Sequence, residues 1–408
     1  MSGALFGVSL RWALRLALAA LLVWCALIEC AEWVAARFFG MELDGDWFLL
    51  IAASSGRELS EFVSLYACPL GVAFGLFLAL AAVLSVFAVR LKGRAFAVFI
   101  LIACAYVAWE LVSHGRSWKP LYVAYDTVRS SAEYGELIEA GAWTDARAAA
   151  VRPAAAGATN LVFVIGESLT SDRMSVYGYG KDTTPMLNRL GGRVAVLGPV
   201  GTTEPYTARS LRLMLTRASP THPARAVETL SVALRLRGYR TVLISAQDHW
   251  ERYCGVEQMI FAACEKRLYL KDLGNGRPCL DEDLLPLAAK ELAVEDGRPL
   301  ALFVHMIGSH FNPADRIPEG FAAQEGLDDY DRSVRYTDSV LAGLIGLVPP
   351  RTLMVFTSDH GESVDCSGWR DLRSRSLWRV PLIVYPAEAG AAFSSVTDVS
   401  EIWYNHSQ

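Results

Sequence analysis

The 408-residue sequence is short of charge, and shorter still of positive charge. Charged residues make up 20% of it, and 38 Lys and Arg against 43 Asp and Glu leave a net charge of −5. It has no basic stripe and no RNA-binding motif, which argues against nucleic acid as a partner. Eight cysteines occur without zinc-ribbon spacing, which excludes a structural zinc site of that kind. Charge is missing altogether from Phe62 to Val89, 28 residues in a row. What fills the gap is apolar: the chain is 53% hydrophobic, with a mean hydropathy of +0.27, too high for an ordinary soluble protein. Its length also exceeds that of one small domain.

The uncharged run is long enough to cross a bilayer with tilt to spare. Ala95 to Trp109 adds 15 uncharged residues and Leu16 to Ile28 another 13. Those two are short, but Arg94 and Arg15 can snorkel and extend them. Residues 1–114 are therefore expected to form a helical transmembrane region of about three helices in a lipid bilayer. Arg11 and Arg15 precede the first span, and Arg90, Lys92 and Arg94 fill the turn between the second and third. Both sets belong on the cytoplasmic side, so an odd number of spans puts everything after about residue 114 on the far side. The alternative for residues 1–35 is a cleaved signal peptide, although its cleavage site is poor. Either way the C-terminal portion is exported.

Cys25, Cys30, Cys68 and Cys104 fall in or beside the spans, as apolar packing residues. Cys254, Cys264, Cys279 and Cys366 fall in the exported portion, where disulfides are expected and three pairings are open. Residues 115–159 form a junction. Trp118, Tyr122, Tyr125 and Tyr134 mix with charges as in an interfacial segment or, alternatively, a surface helix of the exported domain, and an Ala/Pro-rich linker follows at 146–159.

From residue 160 short apolar runs alternate with helical patterns. "NLVFVIG", "YRTVLISA", "LALFVHMIG", "RTLMVFTS" and "VPLIVYP" read as buried strands. "AVETLSVALRLRG", "LLPLAAKELA" and "DYDRSVRYTDSVLAGLIGLV" carry helical spacing. The alternation predicts an α/β domain at 160–408 with a mostly parallel central sheet flanked by helices. In such sheets ligands gather at the carboxyl ends of strands. The first strand ends at Glu167, the fourth at Asp359 and His360, and the third leads through His305 to Gly308-Ser309-His310. Two carboxylates and an imidazole converging on one sheet edge make a divalent-metal site. Each alone has a structural reading, as a helix-cap partner or a turn residue; their conjunction is stronger. "GTTEPYTARSLRLMLTRAS" opens a helix with Thr207 near its N-terminus, where an anion is favoured. A metal-coordinated hydroxyl there would be a usable nucleophile, and a helix cap is its structural alternative.

Seven segments in order over residues 160–386 resemble the membrane-anchored phosphoethanolamine transferases of the alkaline phosphatase/sulfatase superfamily. They are "VIGES", "MSVYGYGKDTTP", "PYTARSLRLMLT", "CLDEDLLP", "GSHFNP", "YDRSVRYTDSVL" and "TSDHGES". The resemblance implies an alkaline-phosphatase-like fold and a zinc ion held by Glu167, Thr207, Asp359 and His360, with manganese as an alternative. It implies that Thr207 attacks phosphatidylethanolamine, releases diacylglycerol and carries phosphoethanolamine as a phosphothreonine. The acceptor would be lipid A or a core sugar of lipopolysaccharide. His310 matches a family histidine near the phosphate. The implied setting is the bacterial inner membrane, multi-pass, with the catalytic domain in the periplasm.

One departure stands out. After "DHGES" the family supplies another histidine, whereas this chain has none until His406. That puts a second metal in doubt. Arg370, Arg373, Arg375 or Arg379 could offer positive charge to phosphate instead, or form a solvated loop; Arg370 and Arg379, with His305, are carried forward as substrate-binding candidates. A formylglycine sulfatase would need Cys or Ser in a C/S-x-P-x-R context, and no such stretch exists. A phosphoglycerol transferase or a phosphodiesterase would share the metal site and differ in donor headgroup or in using water. A non-catalytic membrane-anchored relative would bind metal without turnover.

Overall fold

The computed structural model describes residues 159–399, apart from 203, 219–228, 248–258, 274–278, 311, 324–325 and 365–372, together with scattered residues between 32 and 101. The chain divides into two compact units, 1–131 and 132–408. In the first, residues 74–80 are helical and expose Phe74, Leu76, Leu78 and Leu80. Among the described residues no helix is long and apolar enough to cross a membrane. The first expected span falls outside the described residues and the third mostly so; of the middle span, residues 71–72 and 74–80 are described and helical, while the interfacial segment and nearly all of the linker fall outside.

In the second unit a seven-stranded sheet is built in the order β2-β9-β7-β1-β6-β4-β5. The strands are β1 (Asn160–Gly166), β2 (Ala195–Val196), β4 (Arg240–Ser245), β5 (Lys266–Tyr269), β6 (Leu300–His305), β7 (Thr352–Ser358) and β9 (Leu382–Tyr385). β3 (Val200–Gly201) and β8 (Arg379–Val380) pair separately. Strand β1 lies at the centre, parallel to β6 and β7, and β4 continues the parallel run from β6 to β5. Only β9, with β2 beside it, runs antiparallel to its neighbours. The expectation of a mostly parallel sheet holds.

Both faces of the sheet are covered, which is why its strands are apolar throughout rather than alternating. On one face Phe163 and Ile165 of β1 meet Leu211, Met214 and Leu215 of α2 (Thr207–Leu215) and Leu234 of α3 (Leu230–Leu236). On the other, Val162 and Val164 meet Leu187 of α1 (Pro185–Leu190), Leu284 and Ala288 of α5 (Leu284–Leu292), and Val334, Val340 and Leu344 of α6 (Asp329–Leu347). A short helix, α4 (Leu270–Leu273), follows β5. The first face also carries stacked rings, Phe163 on Phe303 at 5.1 Å between centroids.

Helix α6 begins with a capping box, Asp328 accepting from the Asp331 amide at 2.8 Å. It then ties the loop after β1 to the sheet. The phenol of Tyr330 donates to the Ser168 carbonyl at 2.7 Å and accepts from the Thr170 amide at 2.9 Å. The buried Asp331 binds Arg173 at 2.8 Å and Lys181 at 2.6 Å. Asp338 accepts from the amides of Met186 and Leu187 at 2.7 and 2.9 Å, capping α1 from outside. These contacts account for two of the seven segments, "MSVYGYGKDTTP" and "YDRSVRYTDSVL", as a structural clamp.

The disulfide expectation needs correcting. Cys264 and Cys279 are free. Cys264 is buried in the cluster on one face of the sheet, while Cys279 packs on the other, so the strands themselves separate the two sulfurs. Burial pushes the Cys264 thiol up to about 12, which keeps it protonated and inert. Cys254 and Cys366 lie outside the described residues.

Candidate metal centre

The register of the two central strands sets the site. Gly166 of β1 pairs with Ser358 of β7, so both strands end level. The next residues, Glu167 and Asp359, therefore emerge side by side, and the Asp359 amide still donates to the Gly166 carbonyl at 3.1 Å. Each chain then turns sharply. Ser168 adopts a left-handed conformation (φ 55°), and Gly361 packs so close to the 376–377 backbone that an added Cβ would collide with the Ser376 carbonyl.

A third turn closes over the first. Gly308, also left-handed (φ 52°), lies directly on the backbone of Glu167, where an added Cβ would sit 2.6 Å from the Glu167 carbonyl oxygen. Ser309 donates its amide to that same oxygen at 2.9 Å. The turn is held from behind by Asp281, whose carboxylate accepts the amides of Ile307 and Gly308 at 2.8 and 2.9 Å. Burial pushes this carboxyl up to about 6.

Glu167, Asp359 and His360 are all buried, and one ligand atom from each lies within 4.8 Å of the others. Asp359 Oδ1 accepts the amides of Ser168 at 3.1 Å and His360 at 2.7 Å. Its Oδ2 is buried without a hydrogen-bond partner, 3.3 Å from His360 Nε2. His360 Nε2 also stands 3.4 Å from Glu167 Oε1. His360 Nδ1 faces the Gly361 carbonyl at 2.8 Å. A carbonyl can only accept, so Nδ1 carries a proton, and Nε2 is the ring atom turned toward the two carboxylates. Burial pushes the Asp359 carboxyl up, against the hydrogen bonds that favour its charged form. Converging lone pairs in a dry pocket repel one another unless a cation lies between them. Two carboxylates and an imidazole fixed by a backbone carbonyl form a donor set suited to zinc or another divalent ion.

Thr207 joins the same cradle. It is the first residue of α2, and Tyr206, not Thr207, occupies the cap position. Its hydroxyl donates to Glu167 Oε2 at 2.9 Å. The side chain is half-buried. Thr207 is thus used against Glu167 rather than as a helix cap.

The other expected residues are placed less centrally. His310 is half-buried at the end of the turn that packs on Glu167. His305 is fully buried at the end of β6, level with Ile165, outside the three-residue cluster. Arg379 on β8 pairs through Nε with Asp172 at 3.2 Å. Arg370 lies outside the described residues. Sequence reasoning missed Gln247, whose Nε2 reaches Glu167 Oε2 at 3.3 Å and the Met306 carbonyl at 2.8 Å. It stands two residues past the end of β4, at the same carboxyl edge, and the strand-end rule that found Glu167 would have found it.

A profile of the sulfatase family matches residues 159–405. The chain belongs to the sulfatase family. Among similar proteins of this family is phosphoethanolamine transferase EptC of Escherichia coli K12, 28% identical over 260 residues, 56% of this chain and 45% of the relative. Another is the Kdo(2)-lipid A phosphoethanolamine 7''-transferase of Escherichia coli K12, 29% identical over 255 residues, with the same coverage of 56% and 45%. The chain thus spans less than half the length of the curated relatives it matches. Among solved structures, the zinc complex of the periplasmic domain of Escherichia coli EptC aligns with a TM-score of 0.54 at 26% identity, covering 62% of this chain and 84% of that one. The integral membrane transferase EptA of Neisseria meningitidis aligns with a TM-score of 0.60 at 20% identity, covering 92% of this chain and 78% of that one. That second likeness concerns the fold alone.

Proposed function

We propose that this protein transfers phosphoethanolamine from phosphatidylethanolamine to an envelope glycolipid, the lipid A or a core sugar of lipopolysaccharide, with Thr207 as the nucleophile. The observation that carries the reading is the Thr207 hydroxyl donating to Glu167 inside the cradle of Glu167, Asp359 and His360. The names of the similar transferases support the donor headgroup and the class of acceptor.

In the first half-reaction Thr207 Oγ1 forms a bond to phosphorus and the bond from phosphorus to the glyceride oxygen breaks, so diacylglycerol leaves. The hydroxyl proton, already held on Glu167 Oε2, passes to that carboxylate as the bond forms and returns to Thr207 Oγ1 when the phosphothreonine is resolved. The free amides at the start of α2 face an anion favourably. His310 protonates the departing glyceride oxygen, within the range of general acid catalysis. In the second half-reaction an acceptor oxygen attacks the same phosphorus and Thr207 is regenerated. A divalent cation held by Glu167, Thr207, Asp359 and His360 would lower the pKa of the hydroxyl and offset charge gathering on the phosphoryl oxygens. The N-terminal region anchors the domain to the inner membrane with the site in the periplasm. Its uncharged run and the exposed apolar side chains of residues 74–80 support this part of the reading.

The test uses purified full-length protein, zinc and fluorescent phosphatidylethanolamine. Wild type should release labelled diacylglycerol and carry a phosphoethanolamine adduct on Thr207, and Thr207→Ala should do neither. An adduct trapped on any other residue overturns the assignment.

A further inference from the structure

The Asp359 carbonyl lies just past the end of β7, where the ladder can no longer serve it, and it is buried. Two buried hydroxyls converge on it. Ser210 Oγ donates to it at 2.6 Å, and Thr202 Oγ1 stands 2.9 Å from it, sharing its one proton with the Glu204 carbonyl at 3.1 Å, with 3.4 Å between the two hydroxyls. Thr202 stands five residues before Thr207 and Ser210 three residues after it. Thr202 follows β3, and Ser210 lies one turn into α2, on the same side of the helix as Thr207. A carbonyl oxygen can accept two hydrogen bonds, and this one faces two hydroxyls that come from either side of Thr207. What the pair accomplishes together is to tie both ends of the Thr207 segment to the peptide of Asp359.

We propose that Thr202 and Ser210 are positioning residues that staple the Thr207 segment to the backbone of Asp359, fixing the threonine hydroxyl and the metal cradle in one frame. The staple explains why a short loop and the first turn of a helix hold Thr207 on Glu167 Oε2 at 2.9 Å. Partners that orient a metal ligand from behind typically account for about 10- to 100-fold in metal affinity or activity. An ångström-scale drift of a nucleophile costs a rate factor of similar size.

This inference rests on the transferase reading for its kinetic arm, but its metal arm does not. The experiment compares full-length wild type with Thr202→Val, Ser210→Ala and Thr202→Ser, the last keeping the hydroxyl. Zinc affinity is measured by competition with a chromophoric chelator, alongside Tm and diacylglycerol release. Thr202→Val and Ser210→Ala should each weaken zinc binding about tenfold and lower kcat more than they raise KM. Thr202→Ser should restore both toward wild type. Lowered Tm with zinc affinity unchanged would reduce the pair to a structural hydrogen bond and overturn the staple. Failure of Thr202→Ser to rescue would do the same. If wild type releases no diacylglycerol, the transferase reading fails, and the zinc measurements still decide the staple.

Discussion

Asp331→Ala gives the sharpest test of how the domain is held together. Asp331 is fully buried on α6, yet both its oxygens are bound to cations from the loop after β1: Arg173 at 2.8 Å and Lys181 at 2.6 Å. Tyr179 adds a longer contact at 3.4 Å. Removing one partner of a buried pair costs about 3–5 kcal/mol, because the other charge is left stranded. Here the stranding is incomplete. Arg173 keeps Asp328 at 2.9 Å, and the Lys181 side chain is 41% exposed and can hydrate. The expected loss is therefore nearer 2–3 kcal/mol. At roughly 2–4 °C per kcal/mol for a domain of this size, Tm should fall by about 5–10 °C. The assay is thermal unfolding followed by circular dichroism, repeated in acid. Burial pushes the Asp331 carboxyl up, but Lys181 and Arg173 outweigh it and hold it below the usual carboxylate range. Its contribution is then fully present above the unfolded pKa near 4 and lost as pH falls through the lower folded value. The gap between wild type and Asp331→Ala should accordingly close on acidification. A Tm change under about 1 °C at neutral pH, or a gap that widens in acid, would refute the clamp.

Three further outcomes follow from the geometry. Protein stripped with a chelator should gain about 2.7 kcal/mol of stability at a free zinc concentration 100 times Kd; Asp359→Ala should abolish the gain, and its survival in that variant would move the metal elsewhere. Gly361→Ala drives a methyl into the Ser376 carbonyl, so it should cost about 1–3 kcal/mol and weaken zinc binding by displacing His360; normal Tm and normal affinity would show that the 376–377 backbone yields freely. Burial pushes the Asp338 carboxyl up to about 6, so its folded form prefers the proton, and its contribution is greatest below pH 4 and declines as pH rises through about 6. Asp338→Asn should therefore fare better relative to wild type at pH 7 than at pH 4, by no more than about 3 kcal/mol, and denaturant midpoints at the two pH values check the sign.

The parts of this fold that could be read from the sequence are those with a long apolar run. β1, β4, β6, β7 and β9 fall within the five runs marked as strands, and α3, α5 and α6 within the helical patterns. β5 escaped because its residues, Lys266 to Tyr269, carry two cations on the sheet's edge. β2, β3 and β8 are two residues each and have no period to detect. Glu167, Asp359 and His360 were legible because each follows a buried strand end. Thr207 was legible as a residue near a helix start, but not as a donor to Glu167, since that contact depends on a loop crossing 40 residues of sequence. The Thr202–Ser210 pair was invisible for the same reason: hydroxyl side chains carry no periodic signal, and its role exists only once distant strands lie level. For Cys264 and Cys279 the disulfide expectation failed because counting cysteines says nothing of which face of a sheet each one occupies.

The level ending of β1 and β7 has a wider consequence. Glu167 and Asp359 are 192 residues apart in the chain, yet they are adjacent only because two central strands pair in register. No contiguous fragment that ends before residue 359 or begins after 167 contains both carboxylates of the proposed metal cradle. Metal binding at this proposed cradle would therefore report on the pairing of strands from both ends of the domain, and a half-emerged chain would lack it.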